Sequence, residues 1–333
     1  MFSDLSRLFG KKVGLIVHSG CDVDSFCSAA AIMLSLKGKA KCSICVPDHL
    51  NAQAKVFAEK LNINFLVEPN LCAFDSLVCV DFCSKHMLGS LSSQFDSFKG
   101  EKFVIDHHEC EVFIVPKKNS CINPNYVSCT ELVFKLLLAT KEIKVSKKSF
   151  ACIAAGIITD SAGFSVADKE TFSIMSVALI NSGYSYYELC SLFYAPKDFS
   201  EKIALLKAFK RSKIFCSGDK VIAVSEVSAF EADAASSLVR LGADIAFCGY
   251  SSKGKVRISG RANQIFVKSL DFDLVGIFNK LKTEFGGECG GHKGAAAFNS
   301  IGSDPWPFLL KCAELSHSEI KNQFPNYIYK EYD

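Results

Sequence analysis

The sequence predicts an α/β protein that begins with a parallel sheet carrying helices on both faces. Short apolar runs of buried-strand type alternate with longer runs of helical composition through the first half of the chain, and this alternation is typical of parallel sheets. Hydrophobic residues make up 49% of the 333 residues, which is enough to fill the cores of two domains. The alternation breaks at Pro196 and then resumes, so we expect a second, smaller α/β domain after it.

The first domain, predicted to span residues 1–195, opens with the apolar run KVGLIVH and a helical segment that ends at a glycine. Four further strand-like runs follow, and a helical pattern separates the first two of them. Apolar runs of about four to eight residues are typical of buried strands, whereas longer periodic runs favour helices. The predicted strands are 12–18, 41–46, 62–67, 76–81 and 102–106, and the predicted helices are 25–38, 49–61, 128–141, 147–158 and 168–193.

A charged, helix-favouring segment follows the break, and we expect it to form a connecting helix over residues 196–213. The strand and helix signals then restart in a second domain over residues 214–333. The glycine-rich stretch FGGECGGHKGAAAF by itself predicts only a tight turn. In this domain the predicted strands are 220–227, 244–251 and 255–262, and the predicted helices are 230–242 and 271–285.

The composition of the chain narrows its functional class. A net charge of +3 is too small to indicate a nucleic-acid-binding surface over the whole chain, so only local basic patches could bind nucleic acid. No apolar stretch approaches the ~20 residues of a membrane span, and the N-terminal run VGLIV lacks the features of a signal peptide. Many of the 16 cysteines lie in strand-like apolar runs, where a thiol acts as a small hydrophobe. We therefore expect a cytoplasmic protein that does not enter the membrane.

Four apolar elements each end on a carboxylate, and histidines accompany two of them. The first strand closes on His18 and leads into the loop SGCDVDS, while the run LVCVD ends on Asp81. The run FVID is followed by two histidines, and the apolar helix FACIAAGIIT leads into a further aspartate. In open parallel sheets, ligands bind beyond the carboxyl ends of the strands, so we expect these side chains to surround one point. They are His18, Asp22, Asp24, Asp81, Asp106, His107, His108 and Asp160.

Each of these aspartates alone is more simply explained as a helix cap or a turn residue. Four such ends around one point would crowd negative charges that repel each other by several kcal/mol, and divalent cations would compensate that repulsion. Aspartate and histidine ligands without cysteine favour manganese, iron, cobalt or zinc over calcium. Two cations that share a carboxylate, about 3.5–4 Å apart, catalyse displacement at phosphorus.

Taken together, these motifs resemble a known family. The segments HSGCDVD, VCVD, VIDHHE and GIITDSAGF, in this order, resemble the four motifs of the DHH phosphoesterase superfamily, which is named for an Asp-His-His triplet such as residues 106–108. VRISGRA and GGECGGHKGAAAF resemble the DHH-associated C-terminal domain. The likeness covers nearly the whole chain and is strongest to the branch that contains RecJ and the NrnA nanoRNases, especially archaeal members. The resemblance implies a parallel-sheet DHH domain, a connecting helix and a smaller α/β domain.

The resemblance also implies roles for the motif residues of the first domain. Asp81 would bridge two divalent cations, for which Mn²⁺ is the expected ion. Asp106 would orient His107 from behind the metal site, and His108 would face the substrate phosphate. The first cation would be bound by His18, Asp22 and Asp81, and the second by Asp24, Asp81, His107 and Asp160.

In the second domain the resemblance implies a substrate-binding surface. Arg261 would grip a phosphate, with Ser259 beside it, because a phosphodiester needs cationic and hydrogen-bonding groups around it. The GGH segment (Gly290, Gly291 and His292) would bring backbone N–H groups and an imidazole to a terminal phosphate, since glycine lets the backbone approach an anion closely. Two departures from the family pattern affect the flexibility of this loop. Cys289 replaces the family's usual third glycine, and three alanines, 295–297, replace its Ala-Ala-Gly ending.

The function that the resemblance implies is a manganese-dependent phosphodiesterase that hydrolyses short single-stranded oligonucleotides to mononucleotides from the 5′ end. The two-domain length favours fragments of a few nucleotides, because RecJ-type exonucleases often carry additional nucleic-acid-binding domains. Degradation of longer single-stranded DNA or RNA, and hydrolysis of 3′-phosphoadenosine 5′-phosphate or cyclic dinucleotides, are alternatives. A catalytically silent replication scaffold is disfavoured because every expected metal ligand is present. A homodimer and replication or repair partners are compatible with the resemblance.

Overall fold

The structure is a computed structural model of the chain, and it describes residues 2–110 and 113–332. The chain divides into two compact units, Met1–Ala195 and Pro196–Asp333. Within the described residues, each unit contains one β-sheet with helices packed on it, which confirms the predicted α/β class.

The first unit contains a parallel sheet, as the sequence predicts, with six strands in the described residues. The strands are β1 (Lys12–Ile16), β2 (Lys41–Val46), β3 (Leu66–Val67), β4 (Ser76–Val80), β5 (Glu101–Asp106) and β6 (Ser120–Ile122). Their order across the sheet is β3-β2-β1-β4-β5-β6, so the direction of winding reverses between β1 and β4. Open α/β sheets bind ligands beyond the carboxyl ends of the strands at such a reversal.

Helices cover both faces of this sheet. Successive side chains of a strand point to opposite faces, and here the side chains on both faces are apolar. Leu15 packs on one face against the long helices, whereas Ile16 packs on the other face against a short helix and 3₁₀ turns. The helices are α1 (Val23–Ser35), α2 (Ala52–Leu61), α3 (Ser92–Ser97), α4 (Cys129–Ala139), α5 (Lys147–Asp160), α6 (Lys169–Ser182) and α7 (Tyr186–Phe193), and the 3₁₀ turns are Ser6–Leu8, Leu71–Ala73, Lys85–Leu91 and Lys117–Asn119. On the first face, α1 packs against α4 and α5.

Three predicted strands of the first unit are shorter in the structure, although β4 is shorter by only one residue because it ends at Val80. β1 ends at Ile16, so His18 lies in the loop beyond the strand rather than at its last position. The predicted strand 62–67 is reduced to β3, because Asn62 takes a left-handed conformation that ends α2 and redirects the chain. For β1 and β3, the predicted apolar run is longer than the part of it that pairs with a neighbouring strand.

The predicted helix 168–193 is two helices in the structure. Gly183 ends α6 in a left-handed conformation, with a φ angle of 78°. Ser185 then caps α7, and its side chain and that of Glu188 form a reciprocal capping box. The helical composition is therefore correct, and the glycine divides it.

The second unit contains a mixed sheet, with seven strands in the part of the chain that the structure describes. The strands are β7 (Lys213–Ser217), β8 (Lys220–Glu226), β9 (Ile245–Ser252), β10 (Lys255–Ala262), β11 (Glu288–His292), β12 (Ala295–Ile301) and β13 (Tyr329–Tyr332). Their order is β11-β12-β10-β9-β8-β7-β13, and all neighbours are antiparallel except β8 and β9. The glycine-rich stretch that predicted only a turn therefore forms the hairpin β11–β12 at one edge of the sheet.

Helices also cover both faces of the second sheet, although one face is covered only in part. The helices are α8 (Phe199–Arg211), α9 (Glu231–Arg240), α10 (Gln264–Leu270), α11 (Leu274–Phe285) and α12 (Trp306–Gln323). α10, α11 and α12 pack on one face, and α8 and α9 pack on the other over the central strands. The predicted connecting helix 196–213 is α8, which ends before Lys213 because that residue begins β7.

None of the helices within residues 2–110 and 113–332 combines the length and the apolar character that crossing a bilayer requires. Among the same residues, no disulfide joins any two cysteines. Cys79, Cys152 and Cys248 are buried in the cores, which agrees with their predicted role as small apolar residues.

Candidate metal centre

The carboxyl ends of β1, β4 and β5 lie side by side, because these strands are neighbours in the first sheet. His18 follows β1, Asp81 follows β4, and residues 106–108 lie at the end of β5. α1 begins in the same region because it follows β1, and α5 ends there with Asp160. The sheet order therefore brings together side chains that are far apart in the sequence.

His18 is oriented by the backbone, and its Nε2 atom faces two carboxylates. Its Nδ1 atom donates a hydrogen bond to the carbonyl oxygen of Ser19 at 2.9 Å, so the neutral ring carries its lone pair on Nε2. Nε2 lies 3.6 Å from Asp22 Oδ1 and 3.7 Å from Asp81 Oδ2. Asp22 is held in turn as the cap of α1, where it accepts a hydrogen bond from the Ser25 N–H at 3.0 Å.

Asp81 is strained and buried, and one of its oxygens is unsatisfied. Its φ angle of 68° lies in the left-handed region, which few residues other than glycine adopt. The residue is 4% exposed, and its Oδ1 atom has no hydrogen-bond partner among the described residues. Oδ1 lies 3.4 Å from Nε2 of His107. A buried carboxylate oxygen without a donor destabilises the fold, and a cation bound there would satisfy it.

His107 is held in the same way as the first histidine. Its Nδ1 atom donates to the carbonyl oxygen of Tyr126 at 3.1 Å, and its Nε2 atom lies 3.2 Å from Asp160 Oδ2. A neutral Nε2 lone pair that faces carboxylate oxygens is repelled by them unless a cation lies between the two groups. Both imidazoles are therefore arranged as metal ligands are, with one nitrogen anchored and the other directed at carboxylates.

Asp24 is buried between three helices and is anchored by the N-terminus of α4. Its Oδ2 atom accepts a hydrogen bond from the Cys129 N–H at 2.6 Å. Its Oδ1 atom accepts from the Thr130 N–H at 3.1 Å and from the Thr130 hydroxyl at 2.8 Å. Unpaired N–H groups and the helix dipole at a helix N-terminus stabilise a negative charge. Ser128 and Glu131 close this N-terminus with a capping box.

Gly156 makes this arrangement possible, although the sequence analysis did not identify it. A Cβ atom at this position would lie 2.5 Å from Asp24 Oδ1 and 2.4 Å from Thr130 Cγ2. Only glycine allows α5 to pass this close to the Asp24–Thr130 pair. The capping motif SCTE, which begins at Ser128, was the available signal that a helix N-terminus lies here.

Asp106 is paired with His108 and not with His107, which corrects the role that the resemblance implied. Asp106 is fully buried, and its Oδ1 atom accepts hydrogen bonds from His108 Nδ1 at 2.8 Å and from the His108 N–H at 3.2 Å. The carbonyl oxygen of Tyr126 takes the place at His107 that was predicted for this carboxylate. The His108 side chain is 59% exposed, so its other nitrogen is accessible to a substrate. The hydrogen bond that His108 donates to the Asp106 carboxylate raises the pKa of His108.

Burial is the main cause that raises the pKa values of three carboxyl groups at this site, those of Asp24, Asp81 and Asp160. Burial, together with the charges of Asp24 and Asp22, raises the pKa of Asp160 to about 8. Burial and the same two charges hold the pKa of Asp81 well above its ordinary value. Burial also raises the pKa of Asp24. A divalent cation would oppose these shifts, because it stabilises the ionised carboxylates.

The donor atoms have the spacing that shared cations require. Two donors at about 2.1 Å from one ion lie roughly 3.0–3.7 Å apart at bond angles of about 90–125°. The nitrogen–oxygen distances here range from 3.2 to 3.7 Å. Among the described residues, three groups have one donor atom per residue within 4.8 Å of the others. The groups are His18–Asp22–Asp81, Asp24–His107–Asp160 and Asp81–His107–His108. Because the groups share members, the residues fit two neighbouring divalent cations with mixed oxygen and nitrogen ligands.

A left-handed turn follows Asp160 and leads into an aromatic cluster. Residues 162–164 all have positive φ angles, from 50° to 73°. The ring of Phe164 stacks on Phe172, with centroids 5.3 Å apart, and the ring of Tyr186 lies 5.9 Å from Phe164. Phe172 is 54% exposed and Tyr186 is 44% exposed, so the cluster presents aromatic surface to solvent. Its three members lie on separate elements, so the sequence alone does not show that they pack together.

In the second unit, Arg261 and His292 lie on the same face of the sheet. Arg261 on β10 pairs with Ala295 on β12, and Ala295 pairs with His292 on β11. Residues directly opposite each other on neighbouring strands point to one face, and the two strand spacings separate the backbones by about 10 Å. Partial burial lowers the pKa of Arg261, and the carboxylates of Asp233 and Glu231 oppose that shift.

The other predicted residues of the second unit fall into two classes. Ser259 is buried two residues before Arg261 on β10, so its side chain lies on the same face of the sheet. Ser259 pairs with Ala297 on β12, and Ala297 pairs with Gly290 on β11. A side chain at Gly290 would meet open space, so this glycine leaves the face uncovered. Gly291 has a packing role instead, because its φ angle is 138° and a Cβ there would lie 2.4 Å from the Ala295 carbonyl oxygen.

Part of the chain is similar to a known family, and the fold is similar to those of solved structures. Residues 12–157 match the DHH family, N-terminal domain. The fold is similar to that of an exopolyphosphatase-related protein from Bacteroides fragilis, with a TM-score of 0.75 and 18% identity over 95% of this chain and 94% of the other. It is also similar to RecJ from Thermus thermophilus in complex with Mn²⁺, with a TM-score of 0.53 and 16% identity over 94% of this chain and 52% of RecJ. At such low identities these likenesses establish a shared fold alone.

A relative in sequence is an uncharacterized protein from Methanocaldococcus jannaschii, which is 29% identical over 218 residues. The alignment covers 64% of this chain and 64% of the relative, so this chain spans less than two thirds of that protein's length. The matched DHH region contains the Asp-His-His triplet, the ends of β1 and β4, and the start of α1. Over this region the chain is similar to the DHH family.

Proposed function

We propose that the chain hydrolyses phosphodiester bonds in short single-stranded oligonucleotides and releases mononucleotides, from the 5′ end, with two Mn²⁺ ions. Members of this superfamily are metal-dependent phosphoesterases. The observation that carries the proposal is the geometry of Asp81, a buried, left-handed carboxylate between two histidine Nε2 atoms. A residue held in such a strained position with an unsatisfied oxygen is typical of a functional site.

Each proposed role follows from what a side chain contacts. Two bound cations would polarise the phosphoryl group and lower the pKa of water that attacks it. His18, Asp22 and Asp81 would hold the first cation. Asp24, His107 and Asp160 would hold the second cation together with the shared Asp81. His108, held by Asp106, would donate a hydrogen bond to a phosphate oxygen through its accessible nitrogen. The metal donors of the proposal are His18, Asp22, Asp24, Asp81, His107 and Asp160.

The second unit is proposed to be a DHH-associated domain that binds substrate. Arg261 and His292 would hold phosphate oxygens, because they project from one sheet face and are separated by small residues. Ser259 and Gly290 lie in the next row of that face, so a hydroxyl and an uncovered backbone would be available to the same ligand. Gly291 would contribute by keeping β11 close to β12 rather than by contacting phosphate.

The aromatic cluster favours a nucleotide substrate over an inorganic one. Phe164 lies four residues after Asp160 in a turn that fixes its position, and Phe172 and Tyr186 extend its exposed surface. Nucleobases stack on exposed aromatic rings, and each such contact contributes about 1–3 kcal/mol. Polyphosphate and pyrophosphate have no group that would use this surface.

The test is a substrate panel with purified protein and Mn²⁺. Labelled RNA and DNA, from dinucleotides to strands of about 30 nucleotides, would be compared with 3′-phosphoadenosine 5′-phosphate, cyclic dinucleotides, polyphosphate and pyrophosphate. We expect the highest kcat/KM with fragments of a few nucleotides. Equal degradation of long strands would instead favour a RecJ-like exonuclease. Hydrolysis of the non-oligonucleotide substrates alone would contradict the proposal.

A matched variant separates this activity from a contaminating nuclease. Asp81→Asn keeps the shape of the residue but removes its charge, so activity should fall below detection while the fold is retained. A wild-type chain with no activity on any substrate, yet able to bind Mn²⁺, would favour the silent scaffold. A cytoplasmic location, a homodimer and replication or repair partners stay predictions.

A further inference from the structure

The segment that contains α8, residues 197–213, carries more net positive charge than the chain as a whole. Residues 197–213 contain six lysines or arginines and two carboxylates, a net charge of +4, whereas the whole chain has +3. Lys197 and Lys213 at the ends of this segment pair with Glu201 and Glu331. Between them, and considering only the described residues, four cations form no ion pair. They are Lys202, Lys207, Lys210 and Arg211.

A pocket of about 320 Å³ lies between α8 and the loop that joins β8 to α9. Phe199 and Ile203 line it from one face of α8, and Lys207 and Arg211 line it one and two turns further along that face. Two of the four unpaired cations therefore belong to the pocket, and the other two do not. The pocket has an aromatic end and a cationic end, and its volume lies in the range of small-molecule sites.

Phe230 lines the opposite wall in an unusual conformation. It precedes α9 with a φ angle of 60°, and its side chain makes no capping hydrogen bond to that helix. A bulky residue rarely occupies the left-handed region, and polar residues are preferred at this position of a helix. Glu231, the next residue, is paired with Arg257 at 2.6 Å, so its negative charge is compensated. This wall of the pocket is therefore aromatic, because Phe230 occupies the N-cap position of α9 where a polar residue is usual.

We propose that this pocket binds a nucleotide unit of a single-stranded nucleic acid, with the base against Phe199 and Phe230 and phosphate paired with Lys207 and Arg211. A nucleotide combines a flat aromatic ring with fixed negative charge, so it matches both ends of the pocket. An acidic peptide would satisfy the cations and leave the aromatic wall unused. The inference rests on the proposed function and extends it, since a strand that fills this pocket is anchored at a nucleotide other than the one being cleaved.

The test measures binding of a fluorescein-labelled strand of about 12 nucleotides to the full chain in EDTA, so that no strand is cleaved. The pocket variant is K207Q/R211Q, and the control is K202Q/K210Q, which removes the same charge from the same helix outside the pocket. We expect the pocket variant to bind about tenfold more weakly or worse, and the control to change less than about twofold. The slope of log K against log salt should fall by roughly 1.4 in the pocket variant, at about 0.7 per phosphate.

A second variant isolates the base contact. Phe199→Ala should weaken binding of the strand by about fivefold or more and leave the affinity for polyphosphate unchanged, because polyphosphate has no bases. The control variant K202Q/K210Q should hydrolyse dinucleotides with Mn²⁺ at the wild-type rate. Thermal unfolding at the wild-type temperature confirms that each variant is folded.

The outcomes separate the pocket from the proposed function. If the wild type cleaves dinucleotides but the pocket and control variants bind the strand equally well, the pocket proposal is overturned and the proposed function stands. If polyglutamate competes with the labelled strand as strongly as the unlabelled strand does, the pocket binds an acidic protein partner. That result would overturn the proposal that the pocket binds a nucleotide. A wild type that neither binds nor cleaves any strand overturns both proposals.

Discussion

Replacing Gly156 by alanine tests the packing that holds the metal donors in place. The added Cβ would lie 2.4 Å from Thr130 Cγ2 and 2.5 Å from both Thr130 Oγ1 and Asp24 Oδ1. These distances are far below van der Waals contact, so α5 must move away from α1 and α4, or the Asp24–Thr130 pair must separate. Either movement lengthens hydrogen bonds that anchor a buried carboxylate at the metal centre.

The expected change in the free energy of unfolding has one stabilising and two destabilising contributions. Helix propensity favours alanine over glycine at an interior helix position by about 1 kcal/mol. Overpacking of a filled core destabilises by roughly 1–3 kcal/mol, and each lost hydrogen bond to a charged group removes about 1.5–3 kcal/mol. We therefore expect Gly156→Ala to lower the free energy of unfolding by roughly 2–4 kcal/mol. Mn²⁺ affinity should fall about 10–100-fold, as when other groups that support metal ligands are removed.

The assay uses the single tryptophan, Trp306, which lies in the second unit. Urea unfolding followed by circular dichroism reports both units, whereas Trp306 fluorescence reports the second unit, so only the former should shift to lower urea. Gly276→Ala is the matched control, because a Cβ there would meet only the flexible Asp273 side chain, at 3.2 Å. It should be neutral or stabilise the second unit by up to about 1 kcal/mol. A Gly156→Ala chain with wild-type unfolding and wild-type Mn²⁺ affinity would refute the reasoning.

Three further predictions concern the same centre. Thr130→Val removes the hydroxyl that binds a buried metal-donor carboxylate, so calorimetric Mn²⁺ affinity should fall about 10–100-fold, while Thr130→Ser should stay near wild type; equal affinities of the two variants would argue against this. In EDTA, burial raises the pKa of Asp160 to about 8, so the folded chain binds more protons than the unfolded chain between about pH 4 and pH 8, and stability should fall as pH rises through that window. Thermal melts should show this slope flattened in Asp160→Asn, and an identical slope in both proteins would contradict it. Asp106→Asn should lower kcat on dinucleotides by roughly 10–100-fold, because it loosens His108, with little change in Mn²⁺ affinity; a large loss of Mn²⁺ affinity would show that Asp106 supports a metal ligand instead.

The parallel sheet and the carboxylate ends were predictable because both are local properties of the sequence. Each buried parallel strand is a continuous apolar run, and the residue after the run is the one that the strand delivers to the sheet edge. His18 and Asp81 were identified in this way, and Asp160 was identified from the end of an apolar helix, without knowledge of the contacts between elements. This prediction did not require the order of the strands, because the carboxyl ends of all strands in a parallel sheet lie at the same end of the sheet.

The partner of Asp106 could not be predicted, because two adjacent histidines compete for it. The direction of each ring depends on the path of the chain beyond β5 and on the Tyr126 carbonyl, which comes from a separate loop. The roles of Gly156 and Thr130 were also hidden, because they arise where helices cross. Close approach between helices depends on tertiary packing. A single glycine inside an apolar helix does not predict such an approach.

The second unit was less predictable than the first for a physical reason. Its sheet is mostly antiparallel, and β11 has the sequence ECGGH, which carries no alternating apolar pattern. This strand forms because β12 beside it offers paired backbone groups, not because of its own composition. α10 and α12 were not predicted at all, whereas the apolar strands β8 to β10 were close to their predicted bounds.

A crystal structure of the wild-type chain soaked with Mn²⁺, with anomalous differences measured at the manganese edge, tests the central claim most directly. The claim is that donors delivered by β1, β4, β5, α1 and α5 surround a pair of cations and share Asp81. It predicts two anomalous peaks, one beside His18, Asp22 and Asp81 and the other beside Asp24, Asp81, His107 and Asp160. No peak at these residues, or manganese bound only elsewhere on the chain, would contradict it.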